Sequence, residues 1–160
     1  MSRNIVELEG VAHRHAAAEA AGDLAATLAT LEPEPVYELY PVGLRMAGLS
    51  LARRYYEHFF ARVVPRIAGH EMLGEWVNEL GVLQEYRVSV RYDDGSLRDF
   101  RIVGLLKFGE TALTGERLYA ATEFLRILFE PIWDALEPCD DPPRGVESPM
   151  GQATGRKLRQ

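Results

Sequence analysis

A sustained two-residue alternation between Val82 and Phe108 constrains this chain more than any other feature. Over residues 82–92 it places Val82, Gln84, Tyr86, Val88, Val90 and Tyr92 on one face of an extended strand. Leu83, Glu85, Arg87, Ser89 and Arg91 fall on the other. Asp93-Asp94-Gly95 is a turn sequence, and the pattern then repeats, with Phe100, Ile102, Gly104, Leu106 and Phe108 set against Asp99, Arg101, Val103, Leu105 and Lys107. Two such strands joined by a tight turn make an antiparallel hairpin with one apolar and one wet face, and the apolar face needs a cover. Strand character extends upstream to about Glu71, divided at Gly81, and returns between Gly115 and Ala121.

The remaining periodicity is helical. Residues 5–21 are alanine-rich with Gly22 as a stop, and Asp23 caps a second helix in which Leu24, Leu28 and Leu31 form one stripe, ended by Glu32-Pro33-Glu34-Pro35. Val36–Tyr40 reads as a short strand closed by Pro41 and Gly43. Ser50 is placed to cap a third helix whose apolar positions are Ala52, Tyr55, Tyr56, Phe59, Phe60 and Val63, ending at Pro65. A last helix spans 123–136, with Pro131 as a kink. Helices followed by a meander predict an α+β fold. With 160 residues there is room for one core, placed in residues 1–137. Residues 138–160, rich in Pro, Gly and Arg, read as a tail with little to bury, and contact with a second subunit is expected to supply what it lacks. A homodimer follows from that expectation.

The balance of charges narrows the function. A net charge of -6, with basic residues spread among acidic ones, is wrong for tracking phosphates, so nucleic acid is not expected as a partner. The apolar runs fall short of the roughly 20 residues that cross a bilayer. The first residues lack the apolar stretch of a secretory signal, and a soluble, cytoplasmic protein is expected. Cys139 is the single cysteine, His13 and His15 point in different directions on a helix, and no metal-ligand spacing, phosphate loop or dinucleotide fingerprint occurs. Neither a metal nor a cofactor is expected.

His15-Ala16-Ala17-Ala18-Glu19-Ala20-Ala21-Gly22-Asp23-Leu24, followed by Thr27-Leu28-Ala29-Thr30-Leu31, resembles the opening of SnoaL-like proteins of the nuclear transport factor 2-like superfamily, where a Gly-Asp-Leu step joins the first two helices. Pro35-Val36-Tyr37-Glu38, Ala47-Gly48 and Arg54-Tyr55-Tyr56 follow at suitable intervals, so that the likeness runs from about Val6 to Leu136. The resemblance implies a cone in which a strongly curved antiparallel sheet wraps the first helix around an apolar pocket. Such cones serve polyketide cyclases, ketosteroid isomerases, scytalone dehydratases, epoxide hydrolases and non-enzymatic binding modules, so the cone alone names no chemistry. Laid on the ketosteroid isomerase frame, that family's first-helix tyrosine falls on His15, its catalytic base on Tyr40, and its oxyanion aspartate at or beside Gly104. All three differ, so isomerisation by that set is not expected.

The candidate catalytic residues are His15 and Glu38. His15 follows Leu8 and Val11 and precedes Ala18 on one helical face, an apolar flank expected to lower its pKa; the other reading is a buried or half-buried histidine satisfied by a backbone carbonyl. Glu38 shares a strand face with Val36 and Tyr40, and this set is expected to point inward; the other reading pairs Glu38 with water or Arg45. Tyr40, Trp76, Asn78, Gln84, Tyr86, Phe100 and Ile102 are the candidate ligand-binding residues lining the cone. Together they suggest a pocket for a hydrophobic, oxygenated small molecule, with proton-transfer chemistry of the cyclase, isomerase or dehydratase kind. The alternative is a non-catalytic binding or dimerisation module, and the sequence leaves open whether the chain is an enzyme.

Overall fold

The computed structural model describes residues 4–140. Helix α1 (Ile5–Ala21) begins where the Asn4 side chain accepts a hydrogen bond from the Glu7 amide, and it ends at Gly22, whose φ of 66° is the left-handed conformation that glycine adopts freely. Asp23 caps α2 (Leu24–Ala29) by accepting from the Ala26 amide at 2.9 Å. This helix is shorter than its leucine stripe implied, because Leu31 opens strand β1 (Leu31–Tyr40) instead. Pro33 and Pro35 cannot donate to a ladder, yet extended backbone suits them. They lie where the pairing of β1 shifts register between Leu31 and Val36.

A strand the sequence reading did not contain, β2 (Leu44–Ala47), pairs back on β1. Helix α3 (Leu49–His58) starts after Gly48, not at a Ser50 cap, and runs on as a π turn (Phe59–Val63) and a 3-10 turn (Val64–Arg66) that contains Pro65. Then come β3 (Ile67–Asn78), β4 (Gly81–Arg91), β5 (Leu97–Phe108) and β6 (Leu113–Tyr119). Helix α4 (Thr122–Phe129) gives way at Pro131 to a 3-10 turn (Glu130–Ala135), and β7 (Glu137–Pro138) pairs with β2. The tail assigned to 138–160 falls, beyond residue 140, outside the described residues, and so does the expectation about what orders it.

The seven strands form one sheet in the order β3-β4-β5-β6-β1-β2-β7. Its pairings are antiparallel except one: β1 runs parallel to β6, with Tyr37 opposite Glu116 and Glu38 opposite Arg117. The expected hairpin register is the observed one, with Tyr86 opposite Ile102 and Val88 opposite Phe100 on the inner face. Arg87, Asp99 and Arg101 are exposed on the outer face, with Glu85 beside them. Val82, Val88, Val90, Phe100, Leu106 and Phe108 pack under α1, α3 and α4 in one core with Tyr37, Leu39 and Tyr56. Among the described residues no helix is long and apolar enough to cross a membrane.

Candidate functional site

One face of α1, carrying Leu8, Val11, Ala12, His15 and Ala18, is buried against the sheet. It brings His15 to a chain of hydroxyls. The Thr30 hydroxyl donates to the Thr27 carbonyl at 2.6 Å, so toward His15 it acts as acceptor, and His15 Nδ1 donates to it at 2.6 Å. His15 Nε2 then faces the Tyr56 hydroxyl at 3.1 Å and Glu19 Oε1, one helical turn on, at 3.3 Å. Tyr56 continues the chain to the Tyr37 hydroxyl at 2.8 Å. Burial pulls the His15 pKa down, but the Glu19 hydrogen bond and charge, with the charge of Glu116, outweigh it and hold the value above the ordinary one. The lowering expected from the apolar flank is therefore corrected: α1 itself supplies the carboxylate that reverses it.

The central group is Glu116, which alternation on a short strand did not single out. It projects from β6 between Tyr37 on β1 and Leu106 on β5, and its Oε1 occupies the space that a Cβ at Gly104 would need. Burial, then the nearby charge of Glu19, push its pKa up to about 8 against the opposing influence of His15. Among the described residues no hydrogen bond reaches this carboxyl, yet its oxygens are not sealed in: Arg45 Nε is the buried side-chain polar atom found without a partner there. The Glu116 carboxyl is therefore half-buried rather than sealed. Inward-facing Tyr86 and Ile102 are likewise only half-buried, and so is Glu19.

Tyr86 lies on the same inner face of the sheet. Burial and the charges of Glu19, Glu116 and Glu75 push its phenol up to about 12, and it donates to Gln84 Oε1 at 3.1 Å. Gln84 in turn donates to Glu75 at 2.7 Å, which lies 3.4 Å from His13 Nε2. Gln84, Tyr86, Phe100 and Ile102 all lie on the inner face, where Phe100 stacks on Phe124 with ring centres 5.0 Å apart.

The other sequence candidates are not brought to this place. Tyr37 and Leu39 of β1 are fully buried, whereas Val36, Glu38 and Tyr40 lie on the outer face, the reverse of the expected orientation. The parallel pairing explains this: it sets Glu38 beside Arg117, and the Glu38 carboxylate accepts from Lys107 at 2.9 Å and Arg117 at 3.1 Å. Burial raises its pKa, but these two cations prevail and hold it below the ordinary carboxylate value. Arg45 is opposite Glu38 in the ladder but bonds Asp140 at 2.9 Å. Tyr40 stacks on Tyr119, ring centres 5.2 Å apart. Trp76 is 57% exposed, opposite outward-facing Leu83, and Asn78 accepts from the Leu80 amide at 2.8 Å in the β3–β4 turn. Glu19 was legible as an i+4 partner of His15. Tyr37, Tyr56 and Glu116 needed the non-local pairing. Among the described residues no three His, Cys, Asp or Glu side chains gather as a metal site.

This architecture is that of a nuclear transport factor 2-like, SnoaL-like cone. Solved structures share it: a protein described as a SnoaL-like polyketide cyclase from Jannaschia sp. CCS1 is 14% identical over 82% of this chain and 99% of its own, with a TM-score of 0.63. An NTF-2-like protein of unknown function from Burkholderia xenovorans LB400 is 20% identical over 72% of this chain and 83% of its own, with a TM-score of 0.56. A protein with a ketosteroid isomerase-like fold from Catenulispora acidiphila DSM 44928, in complex with trimethylamine, is 15% identical over 75% and 92%, with a TM-score of 0.53. At these identities the likeness establishes the fold. No family model and no curated protein matches the sequence.

Proposed function

We propose that the inner side of the cone around Glu116 forms a recess that binds a largely apolar small molecule carrying a carbonyl or hydroxyl group, and that its chemistry is proton transfer beside that oxygen. One observation carries this reading: the Glu116 carboxyl, pushed up to about 8 by burial and by the charge of Glu19, lies half-buried beside Tyr37 and Gly104 with no described hydrogen-bond partner. At neutral pH Glu116 is mostly protonated. It can donate a hydrogen bond to a substrate oxygen and stabilise negative charge as it develops there, an effect strengthened by the low dielectric around it. Glu19, held against His15, is the carboxylate placed to take a proton from the adjacent carbon. His15 and the Tyr56–Tyr37 pair then act as positioning residues behind it. Isomerisation, dehydration and aldol-type cyclisation share this step.

The test uses 2-tetralone, an apolar ketone with exchangeable protons beside its carbonyl, followed by NMR in heavy water. The protein should accelerate exchange, Glu116→Gln should remove roughly a hundredfold of that acceleration, and Glu38→Gln should leave it intact. Exchange at the buffer rate ends the catalytic reading. Binding without chemistry is the second reading, favoured by His15 having both ring nitrogens engaged by protein groups. Recess resonances that shift with 2-tetralone while exchange stays at the buffer rate would select it.

The proposal includes a homodimer of a cytoplasmic protein. Strand β3 lies at the sheet edge with Leu73 and Trp76 exposed, Leu80 is exposed in the turn that follows it, and such an edge favours pairing with a second copy. Sedimentation velocity should give a dimer mass; a monomer at every concentration rejects it.

A further inference from the structure

A second recess, of about 730 Å³, opens where the π turn after α3, the β4–β5 turn and α4 meet. Its size falls within the range of about 300–1,000 Å³ usual for small-molecule sites. Three arginines border it: Arg62 on the π turn, Arg66 on the 3-10 turn that follows, and Arg126 on α4. No described carboxylate pairs with any of them. Arg62 makes no hydrogen bond or ion pair among the described residues, and Arg126 lies over the Trp133 ring, 4.3 Å from its centre, with no described hydrogen bond. Arg66 donates its Nε to the Arg91 carbonyl at 3.1 Å and packs over Tyr92 at 5.4 Å, which leaves its terminal nitrogens free of described bonds.

Asp93 and Glu130 also border the recess, but their charge is not spent on these guanidiniums: the described ion-pair contact of Glu130 is with His58, at 3.9 Å. Ala61, Val63 and Ile127 supply apolar wall. The π turn is an independent pointer. A wide turn is unfavourable relative to the α-helix it interrupts and recurs at functional sites, and here it carries Ala61, Arg62 and Val63 together into the lining.

We propose that this recess binds a phosphorylated small molecule, with the phosphoryl oxygens held by Arg62, Arg66 and Arg126 and the organic body against Ala61, Val63 and Ile127. The planar guanidinium fork matches phosphate geometry and stacks without losing its donors, as Arg126 does on Trp133. The site stands apart from the chemistry proposed for the cone and is tested without it.

Isothermal titration calorimetry with phenyl phosphate should show saturable one-to-one binding that weakens as salt rises. Arg62→Ala and Arg126→Ala should each lower the affinity about tenfold, and Arg62→Lys, which keeps charge but not the fork, should lower it less. Arg53→Ala, exposed on α3 and not bordering the recess, should change nothing. Arg62 makes no described bond, so its variants are expected to fold even if Arg126→Ala loosens Trp133. Absence of saturable binding to the parent protein, or affinity in the Arg62→Ala and Arg126→Ala variants equal to the parent's, overturns the proposal.

Discussion

Glu116→Gln is expected to be more stable than the parent protein by about 3 kcal/mol at pH 7, with the gain vanishing near pH 4. The carboxyl titrates at an ordinary 4.5 when solvated and at about 8 in the fold. Below 4.5 both states hold the proton and nothing is lost. Between the two values the unfolded chain releases the proton while the native state retains it, so the native state loses about 1.4 kcal/mol per pH unit. Above the folded value the loss levels off. Glutamine carries no titrating proton and avoids the penalty, while its size and polarity suit a site built around a neutral acid. Urea denaturation of both proteins across this pH range measures the difference. A difference that does not grow with pH, or a variant less stable than the parent at pH 7, would show that Glu116 is solvated and would remove the central group of the proposed site. The expected pairing of higher stability with lost exchange activity is the trade-off of a group whose burial is costly and whose use is chemical.

His15→Ala is expected to cost about 2–4 kcal/mol, because a ring 1% exposed leaves a cavity and deprives Thr30 and Tyr56 of a partner. The cost should depend on pH with a known sign. The His15 pKa lies above the ordinary 6.5, so its added stability is fully present below 6.5 and is lost as pH rises through the folded value. The variant should therefore fall furthest behind the parent in mild acid and recover part of the deficit in alkali. Tyr56→Phe removes one hydroxyl from the same chain and should cost about 1 kcal/mol. The double variant should cost less than the sum, since both changes break the same contact. Denaturation midpoints of the four proteins at two pH values decide this. Strict additivity with no pH dependence would mean that the hydrogen bond between His15 and Tyr56 contributes nothing, and His15 would lose its positioning role.

The α+β order, the β4–β5 register, and the burial of His15 were all carried by local sequence. Each follows from a short-range rule: the period of apolar residues, the turn at Asp93-Asp94-Gly95, the Asp23 cap and the glycine after α1. Strand β1 shows where such rules stop. Val36, Glu38 and Tyr40 and the set Tyr37 and Leu39 each hold a tyrosine and an aliphatic residue, so alternation alone does not choose between them. The choice came from β6, more than seventy residues away, whose parallel pairing offers Arg117, and with it Lys107 of β5, to Glu38 on one face and Glu116 to Tyr37 on the other. The same contact made Glu116 a buried acid: its pKa is raised by desolvation and by Glu19, surroundings that its own strand does not contain. Local periodicity thus determined the main helices, the strands from β3 to β6 and which face of the hairpin is apolar, but neither β2 nor β7 nor the start of β1. Tertiary structure alone decided which carboxylate is neutralised by cations outside the cone and which is left without a described partner inside it, because desolvation and charge pairing depend on residues brought together only by the folded sheet.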